Sequence, residues 1–247
     1  MTAAQPRPED DSATIRTRTV LTGRAVEFGR PGARSGIAKQ AVSGPVSAGE
    51  LGLTGDEQGD LRVHGGPDKA VHCYAWQHYA RWREALATAP SPATALALLQ
   101  APGAFGENLS VEGLDEHGVC IGDRWQIGTT VMEVSQGRQP CWKLNVRFDV
   151  PDMARRVQDS LMAGWYMRVL RPGAVQTGDV WVLLDRPHPQ WSIARLLGLI
   201  RDRSTDPATL EAVLGLPLPP SWHRLFSRRL ASGAVEDWAS RMAGRTP

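Results

Sequence analysis

Between residues 130 and 134 the side chains alternate, Val131 and Glu133 facing one way and Met132 and Val134 the other, which is the two-residue period of a strand. The run 124–127 turns into 130–135 as a hairpin after Cys120-Ile121-Gly122-Asp123. From Thr19 a run of β-branched and alternating residues predicts a strand, the glycine-containing stretch 29–36 a loop, and 37–42 a second strand. Residues 165–170 and 180–184 read as two more, parted by a turn at Pro172-Gly173. Helical spacing runs through Val71, Tyr74, Ala75, Tyr79, Trp82 and Leu86, and recurs in 94–100 and in 152–163, where Met153, Val157 and Leu161 recur before Gly164. Past the break at Pro187 and Pro189 come three capped helices. Ser192 caps the first, Asp206-Pro207 opens the second before Gly215, and Ser221 precedes the third, which ends before Gly233. A short fourth covers 235–242.

Many short strands with few helices up to about residue 185 predict an α+β, mainly β, domain: a partly closed β-barrel with flanking helices. The expected organisation is an unstructured lead over 1–18, a barrel domain over 19–185 and a helical extension over 191–243. The 43–60 stretch, with Gly55-Asp56-Glu57-Gln58-Gly59-Asp60, reads as a solvated loop, because its carboxylates do not sit at the alternate positions a calcium loop uses.

Composition narrows the function. With 42% apolar residues among 247 the chain can bury a real core. No apolar run approaches the ~20 residues of a membrane span, and the polar first 18 residues have no secretory pattern, so no membrane partner is expected and the cytoplasm is the default compartment. A net charge of +2, with basic residues dispersed, lacks the footprint of a nucleic-acid binder. Three cysteines without a CxxC spacing indicate neither a disulfide framework nor a structural zinc. Of 28 basic residues only Lys39, Lys69 and Lys143 are lysine. In so arginine-biased a chain, a retained lysine suggests a need for a compact ammonium, as at phosphate or oxo-anion sites.

Candidate chemistry centres on Ser135-Gln-Gly-Arg138-Gln-Pro140-Cys141-Trp-Lys143-Leu144. Cys141 follows a strand end on a turn stiffened by Pro140, and the nearby guanidinium of Arg138 favours the thiolate that attacks electrophiles or binds soft metals. The competing reading is a cysteine packed as a small apolar group. In Arg62-Val-His64-Gly65-Gly66-Pro67-Asp68-Lys69-Ala70-Val71-His72 the glycines read as opening a helix, whose bare N–H groups would take an anion. A plain glycine turn capped by Asp68 accounts for the same residues. Glu107 beside Asn108 could read the donors and acceptors of a fused pyrimidine ring, or could simply enter a strand. Arg168, apolar on both sides, needs an anionic partner, a bound phosphate or a carboxylate. His72, Cys73 and His78 do not read as a metal set, since positions six apart on a helix point to opposite sides.

Four of these stretches together resemble the MOSC family, named for the C-terminal domain of molybdenum-cofactor sulfurases, and within it the YiiM-type bacterial members. They are the 55–60 loop, His64-Gly-Gly-Pro-Asp-Lys-Ala70, Phe105-Gly-Glu-Asn-Leu109 and the Cys141 motif, in which Gly137 stands where the family has proline. The resemblance extends over about 20–235. It implies the barrel, a three-helix extension, and a molybdenum held by a pyranopterin dithiolene with Cys141 as its protein ligand. It further implies that Lys39, Arg62, His64, Gly65, Gly66, Asp68, Lys69, Glu107, Asn108, Arg138 and Arg168 bind the cofactor, and that the activity is reduction of small N-hydroxylated compounds, such as N-hydroxylated purine bases, to amines. With no GxGxxG after a strand and no cluster-forming cysteines, electrons would come from a separate reductase. The helical extension is assigned docking or homodimerisation. Two rivals stand beside this reading: a Cys141 nucleophile with His64 or His72 as base, and a module that binds or carries the cofactor without turnover.

Overall fold

The computed structural model describes residues 14–59, 65–89 and 92–244. Thirteen strands lie among them: β1 (Arg16–Thr22), β2 (Val26–Phe28), β3 (Arg30–Ser35), β4 (Gln40–Ala41), β5 (Val46–Gly49), β6 (Gly52–Leu53), β7 (Val71–Ala75), β8 (Leu109–Glu112), β9 (Arg124–Ile127), β10 (Thr130–Gly137), β11 (Trp165–Arg171), β12 (Gly173–Val175) and β13 (Trp181–Asp185). Eight belong to one sheet of order β13-β9-β10-β11-β7-β8-β1-β4, antiparallel except for the parallel β7–β8 pair. The sheet curls until its β13 edge returns to β1, where Arg16 bridges Val180 and Thr17 N–H donates to Asp179 O at 2.9 Å. The result is a half-closed barrel in an α+β fold.

Between β7 and β8 run α1 (His78–Leu86) and α2 (Pro92–Leu98), supplying the crossover that a parallel pair needs. The helix read from Val71 onward is therefore a strand followed by a helix. All five residues of β7 are buried, and a strand covered on both faces shows no alternation to set it apart from a helix. In the core, Tyr74 stacks on Phe105 at 4.1 Å. After β10 come α3 (Lys143–Phe148) and α4 (Met153–Ser160), the latter closing at Leu161 with φ 62° rather than at Gly164. The 43–60 stretch carries β5 and β6, the expected 37–42 strand shrinks to β4, and β1 begins at Arg16, inside the segment expected to be unstructured.

The helical region comprises α5 (Ile193–Arg201), α6 (Pro207–Leu214), α7 (Pro220–Ser232) and α8 (Ala239–Ala243). Of its expected caps, the Ser192 side chain accepts from Arg195 N–H, Asp206 from Thr209 N–H, and Gly233 ends α7 at φ 63°, whereas α7 starts at Pro220 with Pro219 as N-cap, so Ser221 lies inside it and caps nothing. Fully buried Arg229 ties the helices together, pairing with Glu236 and donating to Leu199 O and Ser204 O. Ile193, Leu196, Leu197 and Ile200 join the barrel's own hydrophobic core. No helix among the described residues is long and apolar enough to cross a membrane.

Candidate active site

Cys141 lies between the end of β10 and the start of α3, half-buried, on the rim of a cavity with about 570 Å³ of empty space counting the part continuous with solvent. The other walls come from distant parts of the chain. The segment after β3 brings Ile37 and Lys39, the loop after β6 brings Asp56, the turn before β7 brings Lys69, β7 brings His72, and β11 brings Tyr166. Arg138 and Lys143 flank Cys141 in the same wall. All three lysines of the chain thus meet at one cavity.

Two glycines let its wall segments touch backbone to backbone. A Cβ on Gly36 would fall 2.1 Å from Glu57 O, and one on Gly59 would fall 2.1 Å from Arg34 O. Lys39, buried, pairs with Asp56, whose carboxylate also accepts from Gly23 N–H at 2.8 Å. Burial lowers the Lys39 pKa, with Asp56 pulling it back up. Lys69 is likewise lowered by burial, and Cys141 and Asp68 oppose that shift. Lys143, also buried, donates to Arg34 O at 2.7 Å. Arg138 is 6% exposed, its backbone N–H donates to Gly164 O, and its Nη1 has no hydrogen-bond partner among the described residues. A buried, charged donor left unmatched is costly unless a ligand meets it.

Among the residues read from the sequence, the cavity brings together Lys39, Lys69, Asn108, Arg138 and Cys141. Asn108 is nonetheless occupied, its Oδ1 accepting from His72 N–H at 3.1 Å and its Nδ2 donating to Leu21 O at 3.2 Å. Glu107 does not line the cavity. It is fully buried, and its carboxylate accepts from the Tyr79 hydroxyl and from Gly103 and Phe105 N–H, so its charge shapes the loop. Arg168 does find anionic partners, but they are protein carboxylates, Asp68 and Glu133, each at 2.9 Å. That pairing also removes Asp68 from the cavity wall. Gly65 and Gly66 precede only the three-residue 3₁₀ turn Pro67–Lys69, so the expected helix is not formed there. Arg62 and His64 lie outside the described residues.

Asp56 and Tyr166 were not singled out from the sequence. Asp56 sits in a run whose glycines and charges look solvated, and it is the lysine shortage that pointed to its partner Lys39. Tyr166, half-buried and with its pKa raised by desolvation, lies in a strand like any other aromatic, its ring tilted against that of His72 at 5.0 Å. His72 is neutral, its pKa depressed to about 3 by burial and then by the charge of Arg138. No group of three or more metal-ligating His, Cys, Asp or Glu residues occurs among the described residues.

A curled half-barrel with a helical extension, carrying one cysteine in a lysine- and arginine-lined cavity, defines the class. A MOSC domain model matches residues 60–182, and a model of the YiiM-like 3-alpha helix domain matches residues 191–233. Protein YiiM of Escherichia coli strain K12 is 37% identical over 229 residues, spanning 92% of this chain and 97% of that protein. The crystal structure of YiiM from Escherichia coli superposes with a TM-score of 0.74 at 30% identity, covering 92% of this chain and 98% of that one. A Gibberella moniliformis protein named Reductase is 38% identical over 199 residues, 80% of this chain but 34% of its own length. The chain belongs to the MOSC-domain family, in its YiiM-type branch.

Proposed function

We propose that this protein is a molybdenum-cofactor-dependent reductase of N-hydroxylated compounds, N-hydroxylated purine bases among them, with Cys141 as the protein ligand of the metal. The observation that carries the reading is Arg138, a buried guanidinium with an unmatched N–H in a cavity wall that also holds Lys39, Lys69 and Lys143. A pyranopterin dithiolene with its phosphate is strongly anionic and fits that set of donors. A thiolate at the rim is the soft ligand such a metal takes. Bound there, the reduced cofactor would supply two electrons and an acceptor for the hydroxylamine oxygen, so that R–NH–OH, two electrons and two protons give R–NH2 and water.

The chain's own part is binding, orientation and exclusion of water. Arg138 and Lys143 flank the thiol and hold negative charge on either side of it, while Lys69 Nζ stands within electrostatic reach of Cys141. Lys39, locked to Asp56, presents a fixed positive charge from the opposite wall. Tyr166 and Phe105 make the walls partly aromatic, which suits a planar ring. Electrons are supplied by a separate reductase. The name of the Gibberella relative is consistent with this chemistry. Of the two bases considered for a Cys141 nucleophile, His64 lies outside the described residues, and a His72 with a pKa near 3 is too weak for that work at neutral pH.

The test is to make the wild-type protein in a host that synthesises molybdopterin and in one that cannot, then to assay reduction of an N-hydroxylated base with a chemical electron donor. Activity confined to the first preparation is expected. Equal activity in both would overturn the proposal.

A further inference from the structure

We infer that the C-terminal helices serve the site by clamping both ends of the Cys141 segment, with Arg241 as the positioning residue; this rests on Cys141 being the reactive residue of the proposed function. At the upstream end, α5 presses on Gly137. A Cβ there would lie 2.8 Å from Leu197 Cδ2 and 3.1 Å from Ile193 Cγ2, so the helix seats directly on the backbone that leads into Arg138.

At the downstream end, α8 grips residues 140–145. Trp142 N–H donates to Arg241 O at 2.8 Å, and Asn145 Nδ2 to Met242 O at 2.9 Å. The Arg241 fork spans two acceptors, Nη1 donating to Pro140 O at 2.7 Å and Nη2 to Gln158 Oε1 at 2.7 Å. Gly244, in the left-handed region at φ 67°, packs under Trp142 where a Cβ would come within 2.8 Å of the indole. From the other side Arg30 stacks over that indole at 4.4 Å and donates to Gly244 O. Cys141 is thus bracketed by a residue whose carbonyl Arg241 holds and a residue whose N–H Arg241 also holds. Only a planar fork with several donors can reach Pro140 and Gln158 together, which a lysine ammonium on its single stem cannot do.

The experiment is hydrogen–deuterium exchange on the full-length, cofactor-free protein, comparing wild type with Arg241→Gln and Arg241→Lys. Exchange across 138–146 should quicken about ten- to a hundredfold, the equivalent of one charge-assisted hydrogen bond, while α7 and the β9–β10 hairpin stay as protected as before. Arg241→Lys should fail to restore protection. In loaded protein, kcat should fall while KM for the N-hydroxylated substrate holds. Unchanged exchange in 138–146, exchange raised equally everywhere, or local loosening with kcat untouched would each overturn the inference. If Arg241→Gln does not fold, Gln158→Met removes one acceptor and leaves the arginine, and the same local gain is expected. Because the exchange arm uses cofactor-free protein, its outcome is independent of whether molybdenum is the metal.

Discussion

Replacing Arg138 with methionine separates binding from stability. The wild-type guanidinium is 6% exposed and leaves Nη1 unmatched, and a buried donor in that state costs about 1–3 kcal/mol. Arg138→Met fills a similar volume, removes that cost, and keeps the backbone bond to Gly164 O, but it also removes the guanidinium's electrostatic interaction with Tyr166, which offsets about 1 kcal/mol of the gain. The cofactor-free variant should therefore lie between unchanged and about 2 kcal/mol more stable, with a melting temperature raised by about 2–4 °C for each kcal/mol gained. Cofactor retention should move the other way, falling about ten- to a hundredfold with the loss of one charge-assisted bond. Urea denaturation of cofactor-free protein and molybdopterin retention on dialysis measure the two sides. A cofactor-free variant destabilised by more than about 1 kcal/mol, or undiminished retention, would show that Arg138 serves the fold and not a ligand.

Cys141→Ser should abolish reduction with circular dichroism and melting unchanged; in contrast Cys73→Ser, which buries a hydroxyl in the core, should cost about 1–3 kcal/mol yet keep activity. Cys120→Ser should be close to neutral on both counts, since its Sγ already donates to Pro189 O. The folded pKa of His72, about 3, lies below the unfolded value of about 6.5, so the stability due to its neutral form is full above about pH 6.5 and is lost as pH falls towards 3. Urea midpoints measured from pH 7 to 4 should decline by up to about 1.4 kcal/mol per pH unit more in wild type than in His72→Gln, and identical slopes would refute this. Gly137→Ala places a methyl against Leu197 and should cost about 1–3 kcal/mol by thermal melt, whereas a neutral result would mean that α5 can withdraw freely.

Local signals carried the parts of this fold that local chemistry decides. The β9–β10 hairpin, the caps at Ser192 and Asp206, and the Gly233 stop each depend on residues within a few positions of one another. The strand β7 was hidden because burial on both faces erases its period, and Val71, Tyr74 and Ala75 fit a helix equally well. Within the site, Cys141, Arg138 and the three scarce lysines stood out by type and spacing. The pairing of Arg168 with Asp68 and Glu133 was hidden for a tertiary reason: β10 and β11 place Glu133 opposite Arg168, and the turn before β7 brings Asp68 to the same guanidinium. The surroundings of Glu107 were hidden because the loop folds back so that its own N–H groups fill the carboxylate. Arg241 gave no sequence signal, since its value lies wholly in what it reaches from about a hundred residues away.

The central claim is that the cavity beside Cys141 holds molybdenum through that thiolate. Its most direct test is elemental analysis, with parallel pterin determination, of wild-type and Cys141→Ser protein purified from a host that makes molybdopterin. Near-equimolar molybdenum in wild type, sharply depleted in Cys141→Ser while pterin is still held by Arg138 and the lysines, is the predicted result. Wild-type protein that reduces N-hydroxylated substrates fully without molybdenum, or a serine variant that holds as much metal as wild type, would contradict it.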